Sequence, residues 1–326
     1  MGARTLRALA PTVAVVVVAI LPLLVTDRYL LKVLTFAGIN ALVVVGLALL
    51  FGHAGQVSLG HAAFVGIGAY VCAYCTVRLE WPWVLAFAAA GAVAGLGGLL
   101  LALPSLRLRG HYLAMATLGF GQLMTLAFVE AEPVTGGVDG FGGIPFPTLG
   151  PIQVEEAASL YWLVWVAVGI ALLVTFNVTS TRPGRAMRAL HGSELGAQAS
   201  GIDVVGVKVR TFVMSALLAG LAGALYASVV GFVSPSVFTL AASVTLLAMT
   251  VIGGTGSLAG PLVAAVLLTL LQYPDALAKG LPSETAQTLQ SYQEDIYGLA
   301  IILVVVLAPR GLAGVWRRRS SGGEAS

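Results

Sequence analysis

Residues 33–52 read Val33-Leu-Thr-Phe-Ala-Gly-Ile-Asn-Ala-Leu-Val-Val-Val-Gly-Leu-Ala-Leu-Leu-Phe-Gly52, and the chain continues His53-Ala-Gly-Gln-Val-Ser-Leu-Gly-His-Ala-Ala-Phe-Val-Gly-Ile-Gly-Ala-Tyr70. The first piece is an uncharged apolar stretch long enough to cross a bilayer as a helix, which needs about 20 residues. The second is dense in glycine and polar without being charged, and it gives way again to apolar sequence. Irregular backbone at membrane depth survives only where it is buried in protein or lines a wet cavity. Gln56, Ser58 and His61 therefore either line a solute path or bond the ends of a broken helix.

The same pattern extends in both directions. Ten apolar runs stand out, at 9–26, 33–52, 62–77, 83–104, 111–129, 159–178, 207–230, 239–253, 258–273 and 294–308, and those at 62–77, 239–253 and 258–273 are short enough to be half-helices or re-entrant. The chain has 326 residues, 58% hydrophobic and 10% charged, with a mean hydropathy of +0.96. A soluble domain carries about 25% charged residues, so this chain lacks the charge to cover a water-facing surface. The fold class is all-α, a polytopic membrane helix bundle of about ten segments that include broken or re-entrant helices.

Lys and Arg distribute unevenly about these runs. With the N-terminus in the cytoplasm, 13 of the 17 basic residues lie inside and 11 of the 14 acids outside, so both termini are expected to be cytoplasmic. Concentration of the basic residues beside the membrane argues against nucleic acid as a partner. The run at 9–26 follows Arg4 and Arg7 but precedes no small-residue cleavage site and reads as a retained span. Trp316–Arg319 is either an interface anchor or a solvated tail.

No Asp, Glu, Lys or Arg falls near the middle of any run. Ion-coupled carriers generally keep an ionisable group at mid-depth, so a proton-coupled carrier is disfavoured, while a sodium site of carbonyls and hydroxyls stays open. The sequence has no G-x-x-x-x-G-K-[ST] phosphate cradle, and uphill transport would draw its energy from a partner. An intramembrane enzyme would need a nucleophile. Ser58 and Ser257 lie outside any G-x-S-x-G elbow, and although His61 shares a helix face with Ser58, both serines read better as caps of broken helices. Catalytic residues are expected to be none. Cys72 and Cys75 lack the further ligands of a zinc site and read as packing thiols, so no metal and no cofactor is expected in this chain.

Two further segments interrupt the runs. Residues 130–157 hold six glycines, four prolines and five acids and form an external loop, either a docking place for an outside partner or a mobile linker. Residues 179–206 lie inside. Pro183 is placed to start a helix, Ser193 to cap a second short one and Gly201 to end it in the left-handed conformation. The outcome is a helical elbow over 182–203, with Arg185 and Arg188 on one side, suited to docking on a partner and transmitting motion. Gln122, an amide within the run 111–129, joins Gln56, Ser58 and His61 as a candidate for the solute path.

These segments together resemble the LivM-type membrane permeases of branched-chain amino acid ABC importers. The matching pieces are Gly55-Gln-Val-Ser-Leu-Gly-His-Ala-Ala-Phe64 with Gly68-Ala-Tyr70, Thr135-Gly-Gly137 with Gly140, Gly184-Arg-Ala-Met-Arg-Ala189 with Ala197 and Gly201-Ile-Asp203, Gly253-Gly254 with Gly256-Ser257, and Pro309-Arg-Gly-Leu312. They occur in order over most of the chain. The sequence departs from the usual pattern at His191 and Gly192, where a more charged stretch is usual. The resemblance implies a non-enzymatic permease in the cell inner membrane, with residues 1–320 as one transmembrane domain and 321–326 as a disordered tail. It implies a LivH-like second permease, two cytoplasmic ATPase subunits that use the ATP, and an external solute-binding protein. It places coupling to the ATPase on the elbow around Arg185, Glu194, Ala197 and Gly201 and the solute path on Gln56, Ser58 and His61; Arg188 is a further candidate for coupling, Gln122 for the path, and Thr135, Gly136 and Gly137 for binding-protein docking. Permeases for urea and short amides share much of the same motif set and give an alternative substrate.

Overall fold

A computed structural model describes residues 27–105, 110–150, 152–254 and 257–273, with residues 22, 298, 299 and 302 beside them. The expected spans at 9–26 and 294–308, the Trp316–Arg319 segment, the 321–326 tail, Gly256 and Pro309–Leu312 lie wholly or largely outside the described residues.

Helix α1 (Arg28–Leu47) starts at Asp27, whose side chain accepts from the Tyr29 backbone N–H at 3.0 Å, and ends in a π-helical turn over Ala48–His53. Then follow α2 (His61–Val77), α3 (Trp83–Ser105), α4 (His111–Glu130), the single turn α5 (Glu132–Thr135), α6 (Ala157–Ser180), α7 (Arg182–Gly192), α8 (Glu194–Ala199), α9 (Val204–Val230), α10 (Leu240–Gly253) and α11 (Ala259–Gln272). Six described helical segments are long and apolar enough to cross a membrane: Arg28–His53, Trp83–Leu103, His111–Glu130, Ala157–Ser180, Val204–Val230 and Pro235–Gly253. α2 and α11 are apolar but shorter. Eight of the ten expected runs therefore coincide with helices, and the protein is a polytopic all-α membrane protein.

α1 is the central helix, with α6, α9, α10 and α11 around it, while α2, α3 and α9 form a tight second group. α2 and α9 cross in close contact. Backbones meet there because Gly68 lies against the Gly220 carbonyl and Gly223 against the Val65 carbonyl, with no room for a Cβ at either glycine. Small residues permit such approach, and packing without a hydrophobic drive between helices depends on it. Cys72 and Cys75 are buried in α2, and the Cys72 thiol is 3.9 Å from Ser228 Oγ of α9. Thr35, Thr76, Thr179, Thr211 and Thr250 return their hydroxyls to carbonyls one turn back, which satisfies them without water.

Residues 130–157 contain short regular elements. The segment is folded: α5 is followed by a 3₁₀ turn over Gly137–Asp139 and by strands β1 (Phe141–Gly142), β2 (Thr148–Leu149) and β3 (Ile152–Gln153). β2 pairs antiparallel with β3, and β1 pairs with β4 (Phe232–Val233), which follows α9. Arg78, at the end of α2, stacks 5.8 Å from the centroid of Phe141 and ties this ribbon to the bundle. The all-α class thus carries four two-residue strands at one end, called here the ribbon end; α7 and α8 mark the opposite, elbow end.

Candidate functional site

The break between α1 and α2 is held by hydroxyl groups from three other helices. The π turn leaves α1 through bonds from Ala54 N–H to the Leu49 carbonyl and from Gln56 N–H to that of Leu50, at 3.3 and 3.0 Å. π turns of this kind recur at functional sites. Beyond it, Leu59 N–H donates to Thr117 Oγ1 of α4 at 2.9 Å and Ala62 N–H to Ser243 Oγ of α10 at 3.0 Å. His61 bridges the break to α9: its Nδ1 is 3.2 Å from Ser58 Oγ and its Nε2 3.0 Å from Ser215 Oγ. A neutral imidazole has one donor and one acceptor nitrogen, and two rotatable hydroxyls match either tautomer. Ser58 and His61 are both 0% exposed, so within this chain the Ser58 hydroxyl is closed to a substrate and the pair braces the broken helix. Ser257 likewise bonds the start of α11, accepting from Gly260 N–H at 3.3 Å.

Gln56 is different. It is buried, yet its Nε2 has no hydrogen-bond partner among the described residues. Gln122 lies apart from these three, exposed on α4, one residue after Gly121, which abuts Gly60.

The elbow has the caps expected of it. Pro183 lies in the first turn of α7, and Ser193 Oγ accepts from Gly196 N–H at 3.1 Å to start α8. Gly201 has φ +75°, with its N–H bonded to the Gln198 carbonyl at 2.9 Å and Ile202 N–H to that of Ala197 at 3.0 Å, a complete Schellman motif. Asp203 then caps α9 through Gly206 N–H at 3.0 Å. Glu194 forms an ion pair with Lys208 of α9 at 2.7 Å, with side chains 21% and 11% exposed. Arg188 and Arg185 are both exposed, and Arg188 Nη1 donates to the Thr179 carbonyl at the end of α6, at 2.9 Å. Ala197 is buried with Met187, Leu190 and Val204 against Leu49 and Ala54, so its small size serves packing inside this chain. Gly55 (φ +68°) rests on His191 of α7. The elbow therefore sits directly beneath the π turn and the break.

Gly201 allows a first test. An added side chain there would meet nothing within 4 Å, so the only penalty is backbone conformation. Gly201→Val is expected to destabilise by about 1–2 kcal/mol, while Gly201→Asn, which tolerates the left-handed region, costs only a few tenths. Thermal unfolding of the purified variants in detergent measures the difference.

At the ribbon end, Thr135 is buried, its hydroxyl donating to the Phe128 carbonyl at 2.7 Å and accepting from Gly137 N–H at 3.1 Å. Gly136 and Gly137 have φ of +77° and +62°. These residues shape the turn, and the exposed side chains flanking them are Val134 and Val138.

Residues 29–307 match the family described as branched-chain amino acid transport system / permease component. The chain belongs to this family. The permease is similar to the high-affinity branched-chain amino acid transport system permease protein LivM of Escherichia coli K12, with 30% identity covering 94% of this chain and 75% of that protein. It is similar also to LivH of the same organism, at 24% identity over 86% and 92% of the two chains. The ribose import permease RbsC of Haemophilus influenzae matches at 24% over 90% of each. No solved structure matches.

Lys208, Ser215, Thr117 and Ser243 complete the site and were not among the sequence candidates. Their one signal is a hydroxyl or charge set within an otherwise apolar helix, and it does not name the partner: Ser215 lies 154 positions from His61 and Ser243 181 from Ala62.

Proposed function

We propose that this permease is the LivM-type subunit of an ATP-binding-cassette importer that carries branched-chain aliphatic amino acids into the cell. It resides in the inner membrane with about ten segments and both termini in the cytoplasm. A LivH-like permease, two cytoplasmic ATPase subunits and an external binding protein complete the importer, and ATP is consumed by those partners. The observation that carries this reading is the capped elbow packed directly under the break in α1–α2. A rigid element in that position passes a push from an ATPase to the polar segment at membrane depth.

Within the elbow the roles divide. Arg185, with exposed Leu195, faces the ATPase; Arg188 and the Glu194–Lys208 pair hold the elbow to α6 and α9; Ala197 seats it, and Gly201 ends it. Gln56 belongs to the path, Ser58 and His61 brace the broken helix beside it, and Gln122 borders it from α4. The unpartnered Gln56 amide supports this, since a buried polar group without a partner is costly unless water or solute completes it. Leucine, isoleucine and valine are zwitterions with apolar side chains, and an uncharged path lets them pass without a deep site. Thr135, Gly136 and Gly137 form the turn that presents the ribbon end to the binding protein.

The test is uptake of labelled leucine, isoleucine and valine by proteoliposomes holding both permeases, the ATPases and the binding protein. Accumulation is expected to require ATP and to survive a protonophore and a sodium ionophore at constant ATP. Accumulation by this chain alone, or collapse on adding the ionophores, would overturn the proposal, and preference for urea or a short amide would reassign the substrate.

A further inference from the structure

α4 is the least covered of the described spans: 17% of its apolar stretch is buried within the chain, against 28% for α6 and 39% for α3. What its open face carries separates it from the other two. The exposed middle of α3 shows Val93, Leu96 and Leu100, and that of α6 shows Val166, Ile170 and Leu173 around an equally open Gly169, with no polar side chain among them. α4 instead shows Met115, Gln122, Leu123 and Leu126 with Gly119 between them. Gln122 makes no hydrogen bond among the described residues, and a methyl added at Gly119 would meet nothing within 4 Å. Its neighbour Gly121 abuts Gly60, so Gln122 lies level with the helix break and near the middle of α4. Hydrocarbon offers an amide nothing to bond, and polar side chains in spans face protein or a water-filled cavity. A glycine one turn from a polar residue is also the composition of helix–helix contacts in membranes.

We infer that this face of α4, centred on Gly119 and Gln122, lies against the second permease. The inference rests on the permease reading above. The occupant has to reach mid-membrane, which excludes the ATPases and the binding protein. It has to offer a hydrogen-bonding group beside a small residue. A chain of the same fold supplies both: the LivH relative aligns with this one over 92% of its own length and so includes the counterpart of α4. In a pair related by a pseudo-two-fold axis the same patch on each partner meets across the axis, which brings the two α4 helices together with their polar residues at the seam.

The experiment uses spin labels placed singly at Met115→Cys and Leu123→Cys on α4, with Leu96→Cys on α3 and Ile170→Cys on α6 as references. The chain carries Cys72→Ala and Cys75→Ala and is assembled with its second permease and ATPases in lipid nanodiscs. Collision with oxygen dissolved in the bilayer is expected to fall severalfold at both α4 sites relative to the references. Gln122→Leu, which would suit a lipid-facing site better than glutamine, is expected to reduce co-purification of the second permease by about tenfold, the equivalent of one interhelical hydrogen bond. Labels on α4 as open to oxygen as those on α3, or unchanged co-purification of Gln122→Leu, would overturn the inference and leave the permease reading standing. Failure of the unsubstituted chain to co-purify any second permease would overturn both.

Discussion

Gly223→Val abolishes the folded permease. A Cβ at Gly223 falls on the Val65 carbonyl and within 2.8 Å of Ala69 N–H, both backbone atoms of α2. Overpacking a core ordinarily costs about 1–3 kcal/mol because side chains move aside. Neither helix backbone can change rotamer, so relief requires α2 and α9 to separate. That separation also strains the Gly68–Gly220 approach and the bond between His61 and Ser215. The expected loss exceeds about 4 kcal/mol, comparable to the lower end of the roughly 5–15 kcal/mol by which folded proteins are stable. Gly169→Ala on α6 is the control: nothing lies within 4 Å of an added Cβ, and the gain in helix propensity makes it neutral or slightly stabilising, by up to about 1 kcal/mol. Size-exclusion profiles of detergent extracts separate the two outcomes: an aggregated Gly223→Val beside a monodisperse Gly169→Ala supports the crossing, and two similar peaks refute it.

That crossing illustrates what the sequence discloses and what it hides. Apolar runs of about 20 residues disclose spans because the bilayer imposes a length and an absence of charge. Pro183, Ser193 and Gly201 disclose the elbow because caps are local: each acts on a backbone group within five positions of itself. Glycine abundance announces close helix contacts without pairing them, and Gly68 meets Gly220 only after 151 intervening positions have folded. The ribbon is hidden from the sequence for the same reason. β1 bonds to β4 across the whole of α6–α9, so nothing near Phe141 marks it as a strand, and glycine and proline in between suggest an irregular loop. Ser58 and His61 were recognisable as a pair from their spacing, whereas the hydroxyl that completes the bridge comes from Ser215. Glu194 and Ala197 were legible as elbow residues, but their direction was not. Both turn toward this chain, one to Lys208 and the other to Leu49 and Ala54, because the elbow folds back on the end of α1.

The inward direction of Glu194 leads to the second large effect, a loss of uptake from Lys208→Met that is reversed by exchanging the charges. Removing the ammonium takes from the Glu194 carboxylate, only 21% exposed, the cation that ties it to α9. A fully buried pair broken this way costs about 3–5 kcal/mol; with a fifth of the Glu194 side chain exposed, the cost here is on the order of 2–3 kcal/mol. The bundle survives, since α1, α2 and α9 pack elsewhere, but the elbow loses its tie to α9. ATP-driven accumulation is then expected to fall at least tenfold while the ATPases still hydrolyse ATP, the signature of a push that no longer reaches the break. Glu194→Lys combined with Lys208→Glu restores the pair in reverse and is expected to recover most of the uptake. A carboxylate at position 194 that contacted the ATPase itself would give the opposite result, because the exchange would place a cation against the same partner surface. Uptake and ATP hydrolysis measured together on the single and double variants decide between an internal brace and an external contact, and failure of the double variant to recover would assign Glu194 to the ATPase.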